Sequence, residues 1–390
     1  MPIVNRTAEL QADIQAWRRD IHQHPELGYE ERRTSAFVAE RLREFGCDEV
    51  VTGLGGTGVV GVIKGRKPLG NSRVKSIGLR ADMDALPIEE ETGLPYASKT
   101  SGKMHACGHD GHTAMLLGAA RYLAETRNFA GEAVVIFQPA EEGGFGAAAM
   151  IKDGLFDRFA IDQVYGMHNG PGIPIGSFAI RPGPIMASTD AVNIHIEGRG
   201  GHAARPHLSI DSVLVGSQLI MALQSIVSRG VDPLESAVIS MCVFNAGHAR
   251  NVIPQTAELK GTVRTLTPEV RALVEKRVRE VVEGVARMTG AKIDLEYARG
   301  YPVVVNHAAQ TDFAIKVAED VAGPGHVQEM PPLMGGEDFA YMLEKKPGAF
   351  IFCGNGDSAG LHHPAYNFND EAIVFGTSYW IKLVENTLPA

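Results

Sequence analysis

Ala133-Val-Val-Ile-Phe137-Gln138-Pro-Ala-Glu141-Glu142 is the stretch from which the fold can be read. Its apolar, β-branched first half reads as a strand at 133–137, and its second half turns abruptly polar. Similar short runs at 59–63, 77–79, 163–167 and 349–353 predict further strands. Helical spacings lie between and before them. Leu10, Ile14, Trp17 and Ile21 precede Pro25, a second helix fits 32–45 ahead of Gly46, and a third fits 112–126. Strands that alternate with helices imply an α/β layer fold with a mostly parallel central sheet.

The texture changes near residue 185. From 189 to 299 the order is strand, long helix, strand, strand, long helix, strand, with strands at 191–196, 237–244, 257–263 and 292–297. That order predicts a compact βαββαβ, ferredoxin-like domain inserted into the larger one. We therefore expect a discontinuous catalytic domain of residues 1–186 and 301–390 and an inserted domain of 187–300. A length of 390 residues agrees with two domains.

Composition excludes several classes of function. With 44% hydrophobic and 21% charged residues, the chain has ample material for a core and is not disordered. The formal net charge of -9, with no basic block, argues against nucleic acid and leaves small molecules as partners. Cys47, Cys107, Cys242 and Cys353 are scattered and form no CxxC pair, so neither a disulfide framework nor a zinc ribbon is indicated. The opening segment lacks a basic region followed by an apolar run, and nowhere do 18 apolar residues run together, so a cytoplasmic protein without a membrane partner is expected. Glycine, 44 residues or about 11% against a typical 7%, and 14 histidines point to functional loops.

In open α/β sheets ligands bind beyond the carboxyl ends of strands, and here those positions are rich in metal-ligand types. The run at 77–79 is followed by Arg80, Asp82 and Asp84, that at 133–137 by Glu141 and Glu142, and that at 163–167 by His168. The run at 349–353 leads into a glycine-rich loop with His362 and His363. A further cluster, His105-Ala-Cys107-Gly-His109-Asp110-Gly-His112, stands at a helix start, where amide donors and the helix dipole are expected to depress the thiol pKa. Any one of these histidines could equally be a core residue bonded to a carbonyl. Four segments converging on one rim is more than a structural role requires. Cys, His and carboxylate together suit zinc or manganese, and more than four candidates imply two ions. Glu141 and Glu142, adjacent after a strand, should point to different sides, so one can bind metal while the other acts as base. Without the other ligands they would read as a solvated acidic loop.

Several motifs recur together: Arg80-Ala-Asp82-Met-Asp84-Ala-Leu-Pro87, the 105–112 cluster, Gln138-Pro-Ala-Glu141-Glu142, Gly166-Met-His168, Gly201-His202-Ala-Ala, Asn251-Val-Ile-Pro254 and Gly335-Gly-Glu337-Asp338-Phe339. In this order they resemble the M20 metallopeptidase family, specifically its M20D branch of N-acyl-amino-acid amidohydrolases, which includes hippurate hydrolases and auxin-conjugate hydrolases. The resemblance covers essentially the whole chain. It implies an α/β catalytic domain interrupted by a lid domain, through which the chain forms a homodimer or tetramer. It also implies two divalent metal ions per subunit, zinc first, with manganese, cobalt or nickel tolerated. The implied reaction is hydrolysis of the amide bond of N-acyl amino acids to a carboxylic acid and a free amino acid.

By motif matching, Cys107, His109, Glu142, His168 and His362 hold the metals, with His363 as the alternative to His362. Glu141 is then the general base acting on a metal-bound water. His202 of the lid supplies the oxyanion donor, and domain closure completes the site. Many M20 peptidases carry His-x-Asp where this chain has Arg80-Ala-Asp82, so one histidine ligand is missing. Asp82 is expected behind the ligands or as a turn acid. Asn251 and Arg264 are candidates to hold a substrate carboxylate, Arg264 equally for an ion pair on the sheet surface. Glu337 and Asp338 follow two glycines at an expected helix start, where capping competes with a role near the site.

Other readings are a dipeptidase or carboxypeptidase of the same family and a catalytically inactive ligand-binding protein. Gly53-Leu-Gly55-Gly-Thr-Gly58 fits GxGxxG but runs into a strand, which makes it a hairpin turn. Gly356-Asp-Ser358-Ala-Gly360 fits GxSxG but lacks the helix that a nucleophile elbow needs. Cys107 and His109, two apart, face each other poorly for a nucleophile pair.

Overall fold

The computed structural model describes residues 4–68 and 74–389. The chain divides into two compact units, a larger one of Met1–Gly183, Val305–Pro331 and Asp338–Ala390 and a smaller one of Pro184–Val304 and Pro332–Glu337.

In the larger unit, α1 (Asn5–Gln23) buries Leu10, Ile14 and Ile21 along one face and stops before Pro25. After α2 (Arg32–Glu44), β1 (Glu49–Leu54) and β2 (Gly58–Lys64) form an antiparallel hairpin, so the GxGxxG glycines do turn a hairpin. Next come β3 (Ser76–Asp82), α3 (His109–Thr126), β4 (Glu132–Gln138) and β5 (Gln163–Pro171). Strands Gly348–Gly356, Phe178–Ile180 and Val327–Glu329 complete an eight-stranded sheet beyond β5, whose other side runs β1-β2-β4-β3-β5. Pairing is parallel at the centre, where β3 lies between β4 and β5 and Gly348–Gly356 flanks β5. The central strands are buried along almost their whole length, which is why they read as unbroken apolar runs. Helix α3 is itself almost wholly buried, against α1 and the helix Ile373–Thr387.

Three elements that carry site residues run further than their apolar spacing predicts, and β3, which continues to Asp82 and so includes Arg80 and Asp82, is the first. Helix α3 begins at His109 rather than at 112, and β5 continues to Pro171, so His168 and Asn169 lie inside the strand. The ladder to Gly348–Gly356 holds β5 straight past Met167 despite its polar side chains.

The smaller unit has the ferredoxin-like order expected from the sequence. Strands Ser188–Glu197, Ala237–Ala246, Thr256–Thr265 and Lys292–Arg299 form an antiparallel sheet in which the first and third are central. Helix Pro268–Thr289 starts with the Thr267 side chain accepting the Val270 N–H and ends at Gly290, φ 74°. Its Val270, Val274, Val278, Val282 and Val285 enter the small core. Ser212–Gly230 is long and apolar enough to cross a membrane by length and composition alone. Here it is the helix Ser212–Ser225 running on into a wider turn, with Val215, Leu219, Leu223 and Ile226 buried in the same core.

Candidate metal centre

The larger unit brings together the five residues expected to ligate metal. Ligand atoms of Cys107, His109 and His168 lie within 4.8 Å of one another, as do those of Cys107, Glu142 and His362, and those of His109, Glu141 and Glu142. The groups share members, so they form one continuous centre. Cys107 precedes α3, and Gly108 between it and His109 has φ 90°, a left-handed conformation that suits glycine. The Cys107 Sγ is 3.4 Å from His168 Nε2. Glu141 and Glu142 come from a tight turn after β4, in which Ala140 at φ 50° donates its N–H to Glu31 and Gly143 donates to the Glu141 carbonyl. The turn, rather than a strand pleat, sets their directions.

Two histidines are locked in the tautomer that ligation needs. His109 Nδ1 faces the Asp84 carbonyl at 2.9 Å and its Oδ1 at 3.1 Å, and His168 Nδ1 donates to the Asn169 carbonyl at 2.7 Å. Each therefore presents Nε2 to the centre. His109 Nε2 is buried and has no hydrogen-bond partner among the described residues. A buried polar atom left so is costly, and a divalent cation is the partner that this Cys, His and carboxylate set suits.

His112 and Asp82, in contrast, are already committed. His112 Nδ1 bonds Asp82 Oδ1 at 2.6 Å and its Nε2 accepts the Asn169 N–H at 2.9 Å, while Asp82 Oδ2 accepts Arg80 Nη1 at 2.7 Å. Asp82, 3.7 Å from His109 Nε2 and grouped with His109 and His112, is thus tied to Arg80 and orients His112 rather than one of the five expected ligands. The acid that orients His109 is Asp84, whose Oδ2 also accepts the Glu142 N–H at 2.9 Å. The sequence marked Asp84 only as following the run at 77–79, within the motif of residues 80–87, and gave it no role.

The electrostatics favour a cation. Burial opposes charging His109, yet Asp82, Cys107 and Asp84 hold its pKa well above the usual histidine value. The same neighbours make a field that favours positive charge at His109. Burial, then the Glu142 charge, pushes the Cys107 thiol well above its normal range, against the expectation from its helix-start position. Desolvation and a neighbouring acid outweigh the dipole, and a protonated, buried thiol is no nucleophile. Burial opposes ionising Glu142 as well, but contact with His362 and the charge of His109 hold it below the usual carboxylate range. His362 Nε2 is 3.0 Å from Glu142 Oε1. His363 turns away to accept the Ala365 N–H and joins no such group.

The remaining candidates separate. Arg80 is wholly buried and donates to Gln138 Oε1, Asp82 Oδ2 and Asp338 Oδ1, so the position of the missing histidine holds a structural cation. Asp338 also accepts the Ala147 N–H, and the next helix begins only at Ala340, so Asp338 is no helix cap. Glu337 is buried and ends the segment of the smaller unit at Pro332–Glu337. His202, also in the smaller unit, is exposed on the short strand Gly201–His202. Its Nδ1 accepts the Ala204 N–H at 3.0 Å, which leaves Nε2–H as a donor. Asn251 is exposed, with its carbonyl on the Ala203 N–H. Arg264 donates to the Thr262 hydroxyl and the Val263 carbonyl, and among the described residues it makes no ion pair of the kind weighed for it. Ser358 donates to the Ala359 carbonyl, with no helix after it.

A mixed α/β sheet that presents cysteine, histidine and glutamate around an unsatisfied imidazole nitrogen defines a protein built to hold metal. Comparison with known proteins makes this specific. Residues 78–386 match the model of Peptidase family M20/M25/M40. The chain is 46% identical over 384 residues to hippurate hydrolase of Campylobacter jejuni, covering 98% of each. It is 45% identical over 360 residues to N-acetyl-L-cysteine deacetylase of Bacillus subtilis, covering 92% of this chain and 84% of that one. Among solved structures, a dinuclear metal-binding peptidase of the M20 family from Bacillus subtilis superposes with a TM-score of 0.83 at 36% identity, over 98% of this chain and 99% of that one. The chain belongs to the M20 peptidase family, and it is a metal-dependent amidohydrolase of that family.

Proposed function

We propose that the protein hydrolyses N-acyl amino acids of the hippurate type, releasing a carboxylic acid and a free amino acid. The observation that carries this reading is Glu141, a buried carboxylate grouped with His109 and Glu142 but belonging to neither group built on Cys107. The names of two relatives, hippurate hydrolase and N-acetyl-L-cysteine deacetylase, support the substrate class.

Cys107, His109, Glu142, His168 and His362 would hold two divalent ions, zinc first, with manganese, cobalt and nickel compatible with the mixed donors. When bound, the ions polarise the amide carbonyl and lower the pKa of water. Glu141 takes the proton of the attacking water and returns it to the leaving nitrogen, which an amide needs because its amine is a poor leaving group unprotonated. His202 donates from Nε2 to the carbonyl oxygen as charge develops there. Asn251 and Arg264 are assigned to the substrate carboxylate, Arg264 by its paired N–H donors. Asp82 and Glu337 act from behind the reacting groups. Assembly as a homodimer or tetramer through the inserted domain, in the cytoplasm, completes the reading.

The test is metal analysis of the purified protein together with a turnover panel of N-acyl amino acids that includes hippurate, before and after chelation. Two ions per chain and hydrolysis that chelation abolishes and metal restores are expected. Preference for dipeptides with a free α-amino group would replace the proposed substrate class with a dipeptidase. Full activity in metal-free protein would contradict the mechanism.

A further inference from the structure

The structure assigns to Asn169 the part of a positioning residue that ties together three of the four chain segments bearing prospective ligands, all but the Glu142 turn, an inference that rests on the ligand assignment above. Asn169 is 1% exposed and follows His168 in β5. Its Nδ2 donates to the Cys107 carbonyl at 2.6 Å and lies 3.1 Å from His112 Nε2, which also accepts the Asn169 backbone N–H. Its Oδ1 accepts the Tyr366 hydroxyl at 2.7 Å, and its backbone carbonyl holds His168 Nδ1.

Chemistry fixes the orientation of this amide. The Cys107 carbonyl can only accept, so it must face the NH₂ group, and Oδ1 must then face Tyr366, whose hydroxyl donates. Tyr366 is fully buried four residues beyond His362, and its N–H bonds the His363 carbonyl at 2.9 Å. One side chain thus joins the Cys107 segment, the His168 strand and the His362 loop. His112, on the far side, is anchored through Asp82 to Arg80. Every polar atom of Asn169 is paired, which makes the network rigid. It also explains Gly108: a Cβ there would lie 2.2 Å from Asn169 Nδ2 and 2.6 Å from the Tyr366 oxygen.

The amide sets the approach of Cys107 to His168 Nε2, so loosening it should be read in metal affinity rather than in folding alone. Asn169→Ala removes all three side-chain bonds, and Tyr366→Phe removes only the hydroxyl that orients the amide. Three quantities are measured: the cobalt(II) dissociation constant, the visible absorption spectrum of the cobalt-loaded protein, and the thermal midpoint of the metal-free protein. A dissociation constant raised about 10- to 100-fold with an altered spectrum is expected, and for Tyr366→Phe an almost unchanged metal-free midpoint. Affinity and spectrum unchanged in both variants would overturn the inference, and so would a loss confined to the metal-free midpoint. A wild-type protein that takes up no cobalt would instead overturn the ligand assignment itself.

Discussion

Cys107 and His109 each hold a proton that a metal ion must displace. Both are shifted upward, the thiol by burial and Glu142, the imidazole against burial by Asp82, Cys107 and Asp84. In the metal-free protein the Cys107 thiol is therefore protonated at neutral pH, His109 takes up a proton more readily than a free imidazole, and lowering the pH strengthens the competitor. Metal binding should release protons and weaken steadily from about pH 8 to pH 6, measurable by titration calorimetry in buffers of different ionisation enthalpy. Affinity independent of pH over that range would contradict the protonation states. His202→Ala should lower kcat by about 10² to 10³ with metal content unchanged. Unchanged kcat with weaker metal binding would remove His202 as the donor. The kinds of residue at the centre were legible in the sequence, because Glu141, Glu142, His168 and His362 come after apolar runs and Cys107 and His109 cluster at a helix start. What separates a ligand from its neighbour was not: His109 and His112 each set Nδ1 on an aspartate, Asp84 and Asp82, and differ at Nε2, which in His112 already accepts the Asn169 N–H.

Elements deliver these side chains only as well as they are fixed, and α3 is fixed at its first turn. Arg18 of α1 places Nε 2.8 Å from Asp110 Oδ2, both side chains fully buried, and His22 Nδ1 contacts the same oxygen at 2.8 Å. Burial opposes ionising Asp110, yet Arg18 and His22 hold it far below the usual carboxylate range, so the pair is charged. Arg18→Leu would leave that charge, one residue from His109, without its guanidinium partner and with His22 as its remaining close contact. The expected cost is about 3–5 kcal/mol in denaturant unfolding of the metal-free protein, and a cost under about 1 kcal/mol would show that the pair carries no such weight. Apolar runs located the central strands of the larger unit and the four long strands of the smaller one, since burial on the central sheet leaves little but Val, Ile, Leu and Phe, and they missed the outer Phe178–Ile180 and Val327–Glu329. They failed where polar residues are buried with partners. The end of β5 at His168 and Asn169 and the start of α3 at His109 are satisfied by groups distant in sequence, which no local pattern reveals.

At the scale of the molecule, the inserted βαββαβ order was readable because each strand and helix carries its own periodicity. The return of Pro332–Glu337 to the smaller unit has no such mark, being a short irregular segment defined only by its neighbours. The chemistry likewise depends on residues that converge from far apart in the chain, with Glu141 as the one assigned to move the proton. The most direct test is turnover of metal-replete Glu141→Gln on the best N-acyl amino acid of the wild-type protein. Full metal content with kcat lowered about 10²- to 10⁴-fold is the predicted result, and substantial turnover, within about tenfold of wild type, would contradict the assignment of Glu141 as the base.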